Sequence, residues 1–370
     1  MQNATTGLEV SDAVDELLSW EALTVAASLD ATPEQVRDYL SRSAARNGTG
    51  RQPSAEDARL LSQLELTVAV GDPGRDEALR DLDEDDPLDG AMTVNFGGRD
   101  VTGIKNIGDR TYVRLGTEAL VEEVLGGDEA AVSRAHRFEE DTDLLPGSLE
   151  NAARALGGDW VEVDPYEFDA YAQALHESGH VDAATADRLG GALLDGGELL
   201  TPEAQWELVE ELNSALRSGA TLHPAGQAGG AELVTVTMSA GDARRALGPL
   251  FTVLAAETER FGLPPLVDEP ADENAPVEAQ LAIRNGVLDE VTVDLGQFGG
   301  PEAGSLPLSL SLAGGSALSL NAPESGEGEG AEDRPLTPDD LAVALLYLQV
   351  RDEERAADED RADVPGPMQP

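Results

Sequence analysis

The pentapeptide His176-Glu177-Ser178-Gly179-His180 has the H-E-x-x-H pattern of zinc hydrolases. On one continuous helix, the two imidazoles would share a face and bind zinc, while the glutamate would activate a water molecule. Gly179 stands where the preceding helix is expected to end, because glycine often follows a helix C-terminus in the left-handed conformation. Asp182 follows closely, and no third ligand stands out in the sequence. Two interpretations remain: a zinc site with His176 and His180 as ligands and Glu177 as base, or an exposed helix end.

The sequence offers no other catalytic constellation. The chain has no cysteine, which excludes disulfides, thiol catalysis and cysteine-based metal centres. It has no G-x-S-x-G segment of the kind found in serine hydrolases. Gly97-Gly98 and Gly299-Gly300 lack the order of strand, glycine-rich loop and helix that a nucleotide site needs. We therefore expect a non-enzymatic protein without a cofactor, with a zinc hydrolase as the alternative.

Acidic residues dominate the composition. The formal net charge is −49, with 73 Asp and Glu against 24 Lys and Arg, and Lys105 is the only lysine. Such a surface repels nucleic acids and anionic membranes, so we expect neither as a direct ligand. No stretch approaches the ~18 apolar residues of a membrane span. The polar start of the chain has no signal-peptide pattern, which is also what remains after an export signal has been removed.

Alternating apolar residues predict a β-sheet that is built in two parts of the chain. The early strands are expected at Ala22–Asp30, Leu64–Val70, Met92–Phe96, Asp100–Ile107 and Thr111–Leu115. The late strands are expected at Leu233–Met238, Val277–Arg284, Val287–Leu295, Leu306–Leu312 and Ala317–Leu320, the last two as a pair. Asn285-Gly286 favours a type I′ hairpin turn, because both positions of that turn need positive φ.

Helical patterns separate the two parts of the sheet and flank them. They are expected at Ser11–Ser19, Pro33–Ala45, Glu118–Leu125, Ser148–Leu156, Pro165–Ser178, Ala183–Leu194, Pro202–Leu216, Asp242–Arg260 and Asp340–Val350, with a short strand at Trp160–Val163. We divide the chain into an N-terminal segment (1–19), a single domain (20–320) with a helical insert at 118–218, and a C-terminal region (321–370). The C-terminal region is expected to hold an acidic linker, a short helix and a disordered tail.

Several strings together resemble secreted lipoproteins of actinobacteria. Leu23–Val36 resembles their first strand and helix, Ile104–Arg114 their central hairpin, and Trp160–Pro165 the strand that opens their helical insert. Val234–Met238 with Asp242–Ala246, and Val291–Phe298, resemble their closing half. The wider group is similar to the LolA/LppX-type carriers, and the resemblance covers roughly residues 20 to 320.

The resemblance implies an α+β fold in which a curved antiparallel sheet forms a LolA-like half-barrel and a helical insert covers one face. It also implies an apolar cavity for acyl chains and an extracytoplasmic protein of the cell envelope. Such proteins contact the membrane through a lipid-modified N-terminal cysteine, which this chain lacks. A lipid or another apolar small molecule would then be the partner, and we expect a monomer.

One apolar set of strand residues would face the helices or line the cavity. Its members are Leu66, Val68, Met92, Val94, Val113, Val236, Met238, Leu281, Ile283, Val291 and Val293. An ordinary filled core is the alternative for these residues, because protein interiors are close-packed by default. A filled core would make the chain a structural or interaction lipoprotein without a ligand.

Overall fold

The computed structural model describes residues 2–48, 52–72, 88–179, 220–248, 272–300, 302–323 and 334–362 continuously, with short stretches between them. The strands are β1 (Ala22–Leu29), β2 (Leu64–Gly71), β3 (Asp89–Phe96), β4 (Arg99–Ile107), β5 (Arg110–Leu115), β6 (Val161–Val163), β7 (Thr221–Ala228), β8 (Ala231–Ser239), β9 (Pro276–Arg284), β10 (Val287–Asp294) and β11 (Pro307–Gly314).

The helices lie before, between and after groups of these strands. They are α1 (Gln2–Leu17), α2 (Pro33–Asn47), α3 (Ala55–Gln63), α4 (Thr117–Ala119), α5 (Glu129–Thr142), α6 (Glu150–Leu156), α7 (Phe168–Glu177), α8 (Ala240–Ala246) and α9 (Pro338–Ala362). One π-helical turn, Leu120–Val124, continues α4. The chain divides into a first unit, residues 1–110 and 195–322, and a second unit, residues 111–194 and 323–370.

The first unit contains nine strands in the order β4-β3-β2-β1-β11-β10-β9-β8-β7. Every neighbouring pair is antiparallel. The last strand, β11, lies between β1 and β10 and so joins the early and late parts of the sheet. This open, curved antiparallel sheet with its helices confirms the predicted α+β class.

Strand register places the apolar side chains of this sheet on one face. Val68 lies opposite Met92 on one side and Val25 on the other. Val25 is in turn opposite Leu312 of β11. Because residues two apart on a strand share a face, the same face continues through Val291 on β10 and its neighbours. This apolar face is the surface on which a cavity can form.

The opposite face carries small and polar side chains that are nevertheless buried. Thr24, Thr67 and Thr93 lie on this face, and so does Lys105, which is only 4% exposed. Burial of such groups is tolerated when they find hydrogen-bond partners. Thr24 shows this, because its hydroxyl donates to the carbonyl of Gly315 at 2.9 Å.

The segment after β11 crosses this polar face as a covering strap. The prediction of a strand at Ala317–Leu320 is wrong, because these residues form bends and coil. The amide of Ala317 donates to the Thr24 hydroxyl at 2.8 Å instead of to a neighbouring strand. Leu318 and Leu320 pack on a cluster of small residues, Ala22, Ala69 and Ala91. This segment is held against the sheet by the packing of its leucines on small side chains, and not by strand pairing.

Two helices begin with capping boxes. At the start of α2, Thr32 accepts a hydrogen bond from the Gln35 amide while the Gln35 side chain accepts one from the Thr32 amide. Such reciprocal pairs satisfy amides that a helix start leaves unpaired. Ser54 and Asp57 form the same arrangement at α3, a helix that the sequence analysis did not predict. The predicted start of α2 is confirmed.

The hairpin between β9 and β10 has the expected turn. Asn285 has φ 55° and Gly286 has φ 82°, as a type I′ turn requires. By contrast, β7 was not predicted. It is an edge strand that contains Pro224 and Gly226 and is exposed over most of its length, so it lacks an alternating apolar pattern.

The second unit combines the β5–β6 pair with helices. Leu341, Leu345 and Leu348 on α9 are buried. The hydroxyl of Tyr171 on α7 donates to the carbonyl of Leu336, just before α9. Burial, helped by the nearby carboxylate of Glu167, raises the pKa of this tyrosine above its ordinary range, so the hydroxyl stays protonated and available as a donor.

Several further predictions differ from the structure in extent or lie partly outside the described residues. The first helix begins at Gln2 and not at Ser11, and the last helix continues to Ala362 instead of ending at Val350. The described residues of the helix predicted at Ala183–Leu194 are helical, as are those at 248–255 after a turn at Leu247 that interrupts the predicted helix Asp242–Arg260. The helix predicted at Pro202–Leu216, residues 256–260 and most of the acidic linker lie outside the described residues. Among the described helices, none combines the length and apolarity needed to cross a bilayer.

Candidate ligand-binding site

A small cavity lies on the apolar face of the sheet, between α8 and strands β8, β9 and β10. Its volume is about 50 Å³. The strands contribute Val236, Met238, Val277, Ala279, Leu281, Leu288, Val291 and Val293, and the helix side contributes Ala243, Ala246 and Leu247. All of these side chains are apolar. Such a cavity favours hydrocarbon over water, because water inside it would lose its hydrogen bonds.

The sequence around α8 explains why space remains there. The hydroxyl of Ser239 caps the helix by accepting a hydrogen bond from the Asp242 amide at 3.1 Å. The buried face of α8 then consists of Ala240, Ala243 and Ala246. Alanine side chains are too short to fill the volume above the branched side chains of the strands. The cavity is therefore a consequence of small residues spaced three apart on the helix.

The predicted site residues separate into three groups. Val236, Met238, Leu281, Val291 and Val293 line this cavity. Leu66, Val68, Met92, Val94 and Ile283 lie on the same face of the sheet but are not among the residues that line the cavity. Val113 lies on β5 in the second unit. A ligand-binding role for these residues stays a prediction. The alanines of α8 were not predicted as site residues, although their spacing of three was a usable signal.

The H-E-x-x-H segment does not form the continuous helix that the zinc alternative needs. The helix α7 ends at Glu177, and Gly179 adopts the left-handed conformation with φ 73°. The carboxylate of Glu177 accepts a hydrogen bond from Gln173 at 2.6 Å. His176 is exposed, and His180 lies outside the described residues. The interpretation of this segment as a helix end fits the described geometry.

Another histidine, His136, lies in a polar cluster with two glutamates in the second unit. Glu118, His136 and Glu139 offer possible ligand atoms within 4.8 Å of one another. Two contacts already link these residues: the His136 Nδ1 is 3.2 Å from the Glu118 carboxylate, and the Glu139 carboxylate accepts a hydrogen bond from the Glu118 backbone amide at 2.9 Å. The cluster thus links α4 to α5, and it joins residues too distant in sequence to be predicted together.

A larger cavity, of about 370 Å³, lies within the second unit. Its apolar walls include Leu120 on the π-helical turn, Phe138 on α5 and Leu348 on α9. Arg134 and Arg137 of α5 also line it. Pockets that bind small molecules usually measure roughly 300–1,000 Å³, so this cavity is large enough for a ligand as it stands. The sequence analysis did not predict it.

Comparisons with known proteins give fold-level likeness only. No family model matches the chain, and no curated protein matches it. Among solved structures, the chain is similar to the lipoprotein LppX of Mycobacterium tuberculosis, with 10% identity, a TM-score of 0.34, and coverage of 84% of this chain and 94% of LppX. It is also similar to LprF from Mycobacterium bovis, with 10% identity, a TM-score of 0.33, and coverage of 86% and 97%.

Proposed function

We propose that the chain is a non-enzymatic, exported, lipoprotein-like protein that binds a lipid or another apolar ligand on the apolar face of its sheet. The observation that carries the proposal is the cavity beneath α8, whose lining is apolar on every side. The sequence resemblance to envelope lipoproteins supports the extracytoplasmic setting. An acyl chain is the ligand type that such a lining favours, because it makes no hydrogen bonds that the cavity would leave unsatisfied.

The size of the cavity sets a condition on binding. At about 50 Å³ it is well below the roughly 300 Å³ at which typical ligand pockets begin. A whole acyl chain therefore enters only if α8 moves away from the strands. This helix buries mainly the methyl groups of Ala240, Ala243 and Ala246, and each buried group of that size contributes only about 0.8 kcal/mol. A leucine-anchored helix would be much harder to displace.

Native mass spectrometry of protein produced in a lipid-containing host, with solvent extraction of the same sample, tests the proposal. We expect an acyl-chain species at a defined stoichiometry. Ala246→Leu should lower its occupancy, because the larger side chain fills the cavity under α8. Ala130→Leu is the matched control, since it adds the same side chain at an exposed helical position that lines neither cavity.

Bare protein mass in all samples would contradict lipid binding. Such a result would instead support the alternative of a structural or interaction lipoprotein with a filled core. The small volume of the cavity is an observation in favour of that alternative. Equal loss of lipid in Ala246→Leu and Ala130→Leu would show that the site lies elsewhere. An excess mass of one zinc ion would restore the metal interpretation of His176 and His180.

A further inference from the structure

The cavity of the second unit is built around one face of α5. Ala131, Arg134, Ala135, Phe138 and Asp141 line it, and their spacing of three and four residues places them on one side of the helix. At about 370 Å³ it can accept a small molecule without a conformational change. It lies within the second unit and is thus separate from the cavity under α8 in the first unit.

One part of the cavity wall is apolar. Leu120, Val121 and Leu125 approach from the turn after α4, and Leu348 approaches from α9. Leu125 remains 44% exposed, which leaves apolar surface near the cavity. A ligand that covers this surface gains from removing it from water.

Two of the arginines that line the cavity are unusual for so acidic a chain, because they have no carboxylate partner among the described residues. The sequence contains only 24 Lys and Arg against 73 Asp and Glu, so carboxylate partners are plentiful. Arg355 uses one of them: its Nη2 donates to both carboxylate oxygens of Asp141, at 2.7 and 2.8 Å. Within the described part of the chain, neither Arg134 nor Arg137 forms a hydrogen bond or an ion pair. Two guanidinium groups are therefore available to a ligand.

The other charges near the cavity do not cancel these two arginines. Asp141 is neutralised by Arg355, and Asp352, whose side chain is 75% exposed, lies 4.0 Å from the same arginine. Glu118 and Glu139 are engaged in the cluster with His136 and do not line the cavity. Guanidinium groups recognise carboxylate and phosphate oxygens well, because their donors match the spacing of those oxygens.

We propose that this cavity binds an anionic amphiphile: a medium-length alkyl chain with a carboxylate head. The head binds Arg134 and Arg137, and the tail lies along Leu120, Phe138 and Leu348. The net charge of −49 repels free anions over long range, so a bare carboxylate gains too little from two arginines. Burial of the tail supplies the rest of the binding free energy. The proposal does not depend on lipid binding in the first unit.

Isothermal titration calorimetry of the full chain with sodium decanoate, below its micelle concentration, tests this site. We expect one decanoate per chain, at least tenfold weaker binding of decanol, and no binding of acetate. Decyl phosphate is included to distinguish a carboxylate head from a phosphate head, and tighter binding of decyl phosphate would overturn the choice of carboxylate. The double variant Arg134→Gln/Arg137→Gln should weaken decanoate binding at least tenfold and leave decanol binding unchanged. Both positions are exposed, so folding should be preserved, and far-UV circular dichroism with urea unfolding checks this.

Arg37→Gln serves as the matched control, because Arg37 is an exposed helical arginine of the first unit that lines neither cavity. It should bind decanoate as the wild type does. Ala246→Leu should also leave decanoate binding unchanged. Loss of decanoate binding in Ala246→Leu would place the ligand in the first unit and overturn the proposal. Equal affinity for decanoate and decanol, or an unchanged affinity in the double arginine variant, would overturn it as well.

Discussion

Leu345→Ala should strongly destabilise the second unit. Leu345 is 1% exposed on the packed side of α9. The substitution removes three carbon groups, each worth about 0.8 kcal/mol of burial, which gives roughly 2.4 kcal/mol before any cavity is counted. A cavity that does not collapse adds to this, and Leu-to-Ala changes at such sites cost roughly 2–5 kcal/mol. We expect a loss of about 3 kcal/mol, measured by urea unfolding followed through the helical circular dichroism signal.

Leu346→Ala is a close control for this prediction. The next residue on the same helix is 59% exposed, so the same chemical change should alter the free energy of unfolding by about 0.5 kcal/mol or less. The effect on helix propensity is the same in both variants and cancels in the comparison. Similar urea midpoints for the two variants would refute the packing described for α9. Hydrogen exchange over residues 334–355 would locate the loss of stability to this helix.

Three other changes should affect stability for distinct reasons. Burial raises the pKa of Asp89 above its ordinary 3.8, so the folded chain binds the proton more tightly than the unfolded chain and its stability falls as pH rises through this range. Asp89→Asn should therefore stabilise the protein at neutral pH but not in strong acid, as urea titrations across pH would show. Gly296→Ala should destabilise by more than about 2 kcal/mol, because its added methyl would overlap the carbonyl oxygen of Gly304; thermal unfolding measures this. Thr32→Ala should cost about 1 kcal/mol in urea unfolding, because it removes the acceptor for the Gln35 amide.

Local chemistry explains which elements could be predicted. The Asn285-Gly286 turn and the start of α2 at Pro33 depend on residues a few positions apart, and both formed as expected. The pairing of β1 with β11 could not be predicted, because it joins residues almost 300 positions apart and depends on the whole sheet. The edge strand β7 was missed since it is exposed over most of its length and has no buried face to produce alternation.

Local sequence patterns also predict only part of the candidate sites. The register puts the predicted strand residues of the first unit on one face, because side chains on a strand alternate between faces. Alternation in the sequence could not show which of them border open volume, since that depends on the alanines of α8 across the cavity. Arg134 and Arg137 stand in a helix that carries several other charged residues, so the sequence does not set them apart. Their position at a cavity depends on α4 and α9, which approach from distant parts of the chain.

The burial of Lys105 has a practical consequence for labelling. It is the only lysine, and it is 4% exposed on the polar face of the sheet. Amine-reactive esters should therefore modify the folded chain at its terminal amino group and leave the side-chain amine unreacted. A single fluorophore attached in this way would leave the sheet unlabelled, and a second label would appear only when the sheet around Lys105 opens.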